Sequence, residues 1–77
     1  MQGKLTHVLD RFASQRTQIE QELLKNPQFR SLCEDYGETA ETLNHWKQSI
    51  EPKARVMMKE YRQLLEDLEQ EILAHLG

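Results

Sequence analysis

The sequence predicts an all-α fold, and three observations support this prediction. In the last third of the chain, apolar residues recur with the period of an α-helix for about seven turns. The residues of this stripe are Ala54, Met57, Tyr61, Leu64, Leu68, Ile72 and Leu76. No segment alternates apolar and polar residues with the period of two that is typical of a β-strand. Three glycines and two prolines are also too few for a turn-rich β fold.

Two prolines divide the chain into three predicted helices. Asn26 can cap a helix with its side chain, and Pro27 at the first helical position has no amide hydrogen to leave unpaired. Because a residue before proline is disfavoured in helical geometry, the preceding helix should end just before this pair. At the second boundary either Ser49 or Glu51 is the cap ahead of Pro52. The predicted helices cover about residues 4–25, 27–48 and 52–76.

The first two predicted helices also carry apolar stripes. In the first helix the stripe consists of Leu5, Val8, Leu9, Phe12, Ile19 and Leu23. In the second helix it consists of Phe29, Leu32, Cys33, Tyr36, Ala40, Leu43 and Trp46. Arg16 falls in the middle of the first stripe, where an apolar residue is expected. Gly37 lies inside the second helix at a cost of about 1 kcal/mol relative to alanine. It marks a kink, a close helix contact or a true break.

Helices of similar length with short connections favour an antiparallel three-helix bundle. We expect a single helical domain over residues 1–77, with an αα-hairpin formed by the second and third helices. The alternative is one long bent helix that joins the first two and pairs with its twin in a dimer. A chain of 77 residues has only a modest core, and its single cysteine excludes an internal disulfide. Good helix packing or homodimerisation, for instance as a coiled coil, must therefore supply stability.

Composition excludes several classes of partner. Ten basic and thirteen acidic residues are interspersed, with a net charge of -3, so we expect no nucleic-acid binding. No apolar run approaches the roughly 20 residues that a membrane span needs. The first residues lack the apolar run of a signal peptide, and a lone thiol fits a reducing compartment. The expected location is the cytoplasm.

The sequence contains no motif of a known catalytic or metal site, and we expect no catalytic residue, metal or cofactor. Glu41 and His45 are four residues apart, as are Glu71 and His75. The helical bundles that hold carboxylate-bridged metals use Glu-x-x-His instead, and Glu41 and His45 project away from their apolar stripe. Cys33 lies on such a stripe, which indicates a packing role rather than a reactive thiol.

Four apolar residues are candidates for binding a partner. Val56 and Leu73 lie outside the stripe of the third helix and could form a second contact surface. Met58 belongs to a methionine pair of the kind that makes adaptable surfaces. Trp46 lies at the edge of its stripe, where it either covers the hairpin turn, stacked on Arg55, or serves as an aromatic anchor at an interface.

A register-setting ion pair is a further hypothesis. In a bundle, Arg16 of the first helix lies at the same height as Asp35 of the second and Asp67 of the third. Without Arg16, the two negative charges of these aspartates would meet unopposed. Buried polar groups sometimes fix the register of packed helices. We therefore predict that Arg16 bridges to Asp35 or Asp67.

The last two-thirds of the chain resemble a layout found in short, uncharacterised bacterial helical proteins. The two matching segments are FRSLCEDYGETAETLNHW and EYRQLLEDLEQEI. The residues that carry the resemblance are Phe29, Arg30, Leu32, Cys33, Glu34, Asp35, Tyr36, Leu43, Trp46, Glu60, Tyr61, Leu64, Leu65, Leu68, Glu69 and Ile72. The resemblance implies a bacterial cytosolic origin and an αα-hairpin core, and it implies no activity.

From these observations we expect a non-enzymatic protein–protein interaction module, such as an adaptor, an assembly factor or a regulator. Its partner is an unidentified protein or a second copy of the chain. The alternative is a small helical metal-binding protein or acid–base enzyme that uses carboxylates and histidines of the bundle. The first interpretation is favoured because helical projection places most of those side chains outside the bundle.

Overall fold

The computed structural model describes residues 3–77, which form helices and their connections with no β-strand. The protein is therefore all-α, with four α-helices in place of the three predicted. The elements are α1 (Gly3–Arg11), a 3₁₀ turn (Ala13–Gln15), α2 (Arg16–Lys25), α3 (Pro27–Lys47) and α4 (Ala54–Leu76).

The prediction of one continuous first helix is wrong, because the chain leaves helical geometry at Phe12. This residue has φ −118° and ψ 50°. Its amide still bonds to the carbonyl of Val8 at 3.0 Å, and the amide of Gln15 bonds to the carbonyl of Phe12 at 2.9 Å. The break changes the helical phase. Phe12 and Ile19 are buried, as their stripe predicts, while Arg16 between them is exposed.

The boundary at Asn26 and Pro27 confirms the capping prediction. The side-chain oxygen of Asn26 accepts hydrogen bonds from the backbone amides of Gln28 and Phe29, both at 3.1 Å. Pro27 occupies the first turn of α3, and α2 ends at Lys25 as expected. Local side-chain chemistry is therefore sufficient to set this helix start.

The connection between α3 and α4 spans residues 48–53 and is longer than predicted. The hydroxyl of Ser49 accepts a hydrogen bond from the amide of Glu51 at 3.1 Å, but Pro52 lies in a turn rather than in the helix. Regular helix begins at Ala54, with no side-chain cap. Ile50 at the tip of this connection is 99% exposed.

α3 and α4 form an antiparallel αα-hairpin, against which α1 and α2 pack, mainly through α3. Beside the connection, the ammonium of Lys53 lies 5.5 Å from the ring centre of Trp46. At the other end of the hairpin, the rings of Phe29 and His75 are 5.4 Å apart. Because low numbers on α3 meet high numbers on α4, the two helices run in opposite directions.

The main cluster of buried hydrophobic residues lies in one half of this hairpin. Its buried members are Leu5, Val8, Phe12, Ile19, Phe29, Cys33, Tyr36, Leu68, Ile72 and Leu76. Four half-buried leucines pack against them, namely Leu9, Leu23, Leu32 and Leu65. Among the residues described, no member of this cluster comes from α3 beyond Tyr36 or from α4 before Leu65. We call the other half of the hairpin, residues 42–47 and 54–64, the distal half. Its buried hydrophobic residues are Leu43 and Ala54.

Gly37 marks a close helix contact, which is one of the three roles that the sequence left open. α3 continues through this residue without a break. A Cβ atom built on Gly37 would overlap the carbonyl oxygen of Lys4 and lie 2.6 Å from its carbonyl carbon. The absence of a side chain at Gly37 therefore lets the backbone of α1 touch α3.

Candidate protein-interaction surface

Three apolar residues in the distal half of α4 are only partly covered by the rest of the chain. Met57 and Tyr61 are half-buried, and Leu64 is 42% exposed. Together with Glu60 these three side chains line a shallow surface depression. We call Met57, Tyr61 and Leu64 the α4 strip. The sequence predicts that they are buried in a bundle, whereas the core ends before it reaches them.

An acidic edge runs beside the α4 strip. Glu60, Asp67 and Glu71 are three, four or seven residues from Leu64, so all three lie on the same helix face as Leu64. Each is exposed, and none forms an ion pair within residues 3–77. Asp67 accepts a hydrogen bond from the side chain of Gln63 at 3.1 Å. These carboxylates are therefore available to a partner.

The basic residues of the same helix lie further around its axis. Arg55, Lys59 and Arg62 each lie two residues from Met57 or Leu64, which is a rotation of about 200° around the helix axis. All three are exposed. Arg55 and Lys59 line a second depression together with Glu60. The carboxylates are therefore the charged groups of α4 nearest to the α4 strip, and basic groups border them on the far side.

A polar network on another side of α4 has a structural role. The hydroxyl of Tyr36 donates a hydrogen bond of 2.6 Å to Oε2 of Glu69. Arg11 donates to both oxygens of Glu69, at 3.0 and 3.3 Å. Burial and the hydrogen bond to Glu69 raise the pKa of Tyr36 above its ordinary value. The network joins α1, α3 and α4, and it occupies both oxygens of Glu69.

Two side chains of α1 lie beside carboxylates of α3 at the surface. Nζ of Lys4 forms an ion pair with Oε2 of Glu38 at 2.6 Å, and Nε2 of His7 lies 3.4 Å from Oε2 of Glu41. The hydrogen bond and charge of Lys4 lower the pKa of Glu38. These pairs flank the contact at Gly37 and orient α1 on α3.

The structure brings only part of the predicted partner-binding set together. Val56 is 56% exposed and lies beside the α4 strip, since it lines an adjoining depression with Glu60, Arg55 and Lys59. Leu73 is exposed but lies about 25 Å further along the helix. Met58 and Trp46 are half-buried. The cation over the Trp46 ring is that of Lys53 rather than that of Arg55.

Sequence reasoning missed the α4 strip itself, because its residues continue the periodicity of the core residues. Met57, Tyr61 and Leu64 have the same spacing as Leu68 and Ile72, which are buried. One signal could have found part of the difference. Gly37 permits the backbone of α1 to contact the middle of α3, and the apolar residues of α1 pack in the half of the hairpin on the N-terminal side of that contact.

The predicted register ion pair of Arg16 is not formed. The guanidinium of Arg16 lies 3.2 Å from Glu20 in the next turn of α2, and both side chains are exposed. Asp35 and Asp67 are also exposed and make no ion pair with Arg16 in the described part of the chain. The reason is the break at Phe12, which turns Arg16 out of the apolar stripe.

Cys33 lies in the core with no exposed surface. Burial raises the pKa of its thiol to about 11.

Among residues 3–77, no three or more His, Cys, Asp or Glu side chains are grouped so that they could hold a metal ion. The same residues include no helix with the length and apolar character needed to cross a membrane.

The fold and the α4 strip define a small all-α protein in which an αα-hairpin carries a partly open apolar surface. Comparisons with protein-family models, with curated proteins and with solved structures find no match to this chain. The resemblance to short bacterial helical proteins therefore stays a prediction.

Proposed function

We propose that this protein is a non-enzymatic protein–protein interaction module, acting as an adaptor, an assembly factor or a regulator, and that it binds through the α4 strip. One observation carries the proposal: Leu64 is 42% exposed within an apolar stripe whose later members, Leu68 and Ile72, are in the core. An apolar helix face that its own chain leaves partly open is a surface on which a second protein can pack.

The size of the exposed apolar surface indicates the strength of such binding. Fully burying a large apolar side chain is worth about 1.5–3 kcal/mol. Met57, Tyr61, Leu64 and Val56 are already partly covered, so completing their burial contributes on the order of 1 kcal/mol each. Association costs about 4 kcal/mol or more in lost freedom of motion. The apolar contacts alone therefore support only weak binding, and polar contacts at the edge must add to them.

Site-specific photocrosslinking in the native cells tests the proposal. A photoreactive phenylalanine analogue replaces Leu64 in one variant and Leu24 in a control. Leu24 suits the control because it is 86% exposed on α2, away from the α4 strip. We expect a defined protein adduct from position 64 and none from position 24. A second copy of the chain in that adduct means self-association. No adduct at position 64, or the same adducts from both positions, contradicts the proposal.

A further inference from the structure

The spacing of the α4 strip fits a helical partner. Met57, Tyr61 and Leu64 occupy positions i, i+4 and i+7 of α4, which is the row of residues that one helix presents to another. The acidic edge extends the same surface to Glu71. Met57 and Glu71 are about 21 Å apart along the axis at ~1.5 Å per residue, so a partner helix of about 14 residues covers the whole surface.

The charge of this surface selects the charge of the partner. Glu60, Asp67 and Glu71 have no ion-pair partner within residues 3–77. They lie between the α4 strip and the basic residues Arg55 and Lys59, which share a depression with Glu60. Interfaces match positive groups to negative ones, because like charges brought together are unfavourable. A complementary helix therefore carries lysine or arginine along the edge that meets these three carboxylates.

A second copy of the chain does not meet this requirement. If two α4 helices pair in antiparallel fashion about Leu64, Glu60 of one copy falls beside Asp67 of the other, and this repulsion occurs twice. The same pairing places Met57 beside Glu71, which sets an apolar side chain against a carboxylate. A parallel pairing sets the acidic edge of each copy against the opposite flank of the other copy's strip, where α4 carries no basic residue.

We infer that the α4 strip binds an amphipathic helix of a different protein, whose apolar residues cover Met57, Tyr61 and Leu64 and whose basic edge pairs with Glu60, Asp67 and Glu71. This inference rests on the proposed function and names the chemistry of its partner. The partner is bound as a helix lying along α4, beside the connection between α3 and α4.

Two designed peptides test the inference. Each has 18 residues with leucine at the same helical positions in an alanine background, and its edge positions are lysine in one peptide and glutamate in the other. Binding of fluorescein-labelled peptide to the full chain is followed by anisotropy, and the contact residues are located by NMR chemical-shift changes. We expect the lysine peptide to bind at least tenfold more tightly than the glutamate peptide. The largest shifts should occur at Met57, Glu60, Tyr61 and Leu64.

Matched variants separate recognition from a general attraction between opposite charges. Glu60→Gln with Asp67→Asn removes two charges from the acidic edge. The control, Glu66→Gln with Asp10→Asn, removes the same two charge types from exposed positions outside it. We expect the edge variant to weaken lysine-peptide binding at least fivefold and the control to weaken it less than twofold. Equal weakening by both variants overturns the inference.

The remaining outcomes distinguish the inference from the proposed function. If the glutamate peptide binds the strip as well as the lysine peptide does, the basic partner is wrong while the interaction surface stands. If light scattering shows a dimer that Leu64→Ser dissociates and Leu24→Ser does not, the occupant is a second copy, and the inference fails for that reason. If position 64 gives no crosslinked adduct, or the same adducts as position 24, the interaction surface itself is wrong.

Discussion

The carbonyl group of Lys4 occupies the space that a Cβ atom of Gly37 would need. A Cβ atom at Gly37 would overlap the Lys4 oxygen and approach its α-carbon to 2.7 Å. Both clashing atoms belong to the backbone, so no side-chain rotation can relieve them. This contact is one point at which α1 packs against the hairpin.

Substitution of Gly37 by alanine tests that contact. Alanine favours an isolated helix by about 1 kcal/mol over glycine, so Gly37→Ala would stabilise α3 if the site were open. Because the new methyl group meets backbone, we expect a net loss of about 2–3 kcal/mol in the free energy of unfolding. Urea denaturation followed by circular dichroism measures it. The control is Gly3→Ala, whose Cβ has nothing within 4 Å and should be close to neutral. A more stable Gly37→Ala protein would contradict the contact.

The hydrogen bond from Tyr36 to Glu69 should be measurable as stability. Tyr36→Phe keeps the ring in the core but removes the donor to a partly buried carboxylate. We expect the free energy of unfolding to fall by about 1–2 kcal/mol, as for other hydrogen bonds to charged groups. Tyr61→Phe is the matched control, since its hydroxyl makes no hydrogen bond within the described residues, and it should change stability by less than about 0.5 kcal/mol. Equal effects of the two substitutions would rule out a stabilising role for this bond.

Stability should fall at alkaline pH because of Cys33. Burial raises the pKa of this thiol from an ordinary 9.0 to about 11 in the folded protein. The unfolded chain therefore loses its thiol proton first, and the contribution of Cys33 is complete below pH 9 and lost as pH rises from about 9 to 11. The pKa of the Tyr36 hydroxyl is also raised, so the stability of the fold continues to fall above pH 10.

Urea denaturation at pH 8, 9 and 10 checks this dependence. We expect the midpoint to fall over this range for the native sequence and to fall less for Cys33→Ala, compared with its own value at pH 8. Cys33→Ala is itself less stable at every pH, because it leaves a small cavity in the core. The same pH slope in both proteins would show that the thiol does not contribute.

Arg16 should tolerate replacement, in contrast to the register role that the sequence suggests. Its contact with Glu20 is an exposed ion pair four residues along a helix, and such pairs are worth about 0.3–0.5 kcal/mol. We expect Arg16→Met to change the free energy of unfolding by less than about 0.5 kcal/mol and to leave the oligomeric state unchanged. Thermal unfolding and light scattering measure both. A large loss of stability would instead support the predicted ion pair of Arg16 with Asp35 or Asp67.

The charge of Arg16 within an apolar stripe is a sequence signal of the helix break. In a continuous helix this arginine lies on the apolar stripe between Phe12 and Ile19. A break near Phe12 removes the conflict by changing the phase of the following helix. No glycine or proline marks the position, so local propensity alone does not predict it.

Local features of the sequence determined the helical class, the start of α3 and the face of each helix that is apolar. The cap at Asn26 needs only its own side chain and the next three residues, and apolar periodicity is a property of each helix by itself. Tertiary structure decided the break at Phe12, the role of Gly37 and the exposure of Leu64. Each of these depends on how one helix packs against another, and such contacts join residues far apart in the chain. Periodicity shows that a helix face is apolar, but only the assembled fold decides whether another part of the chain is long enough to cover it.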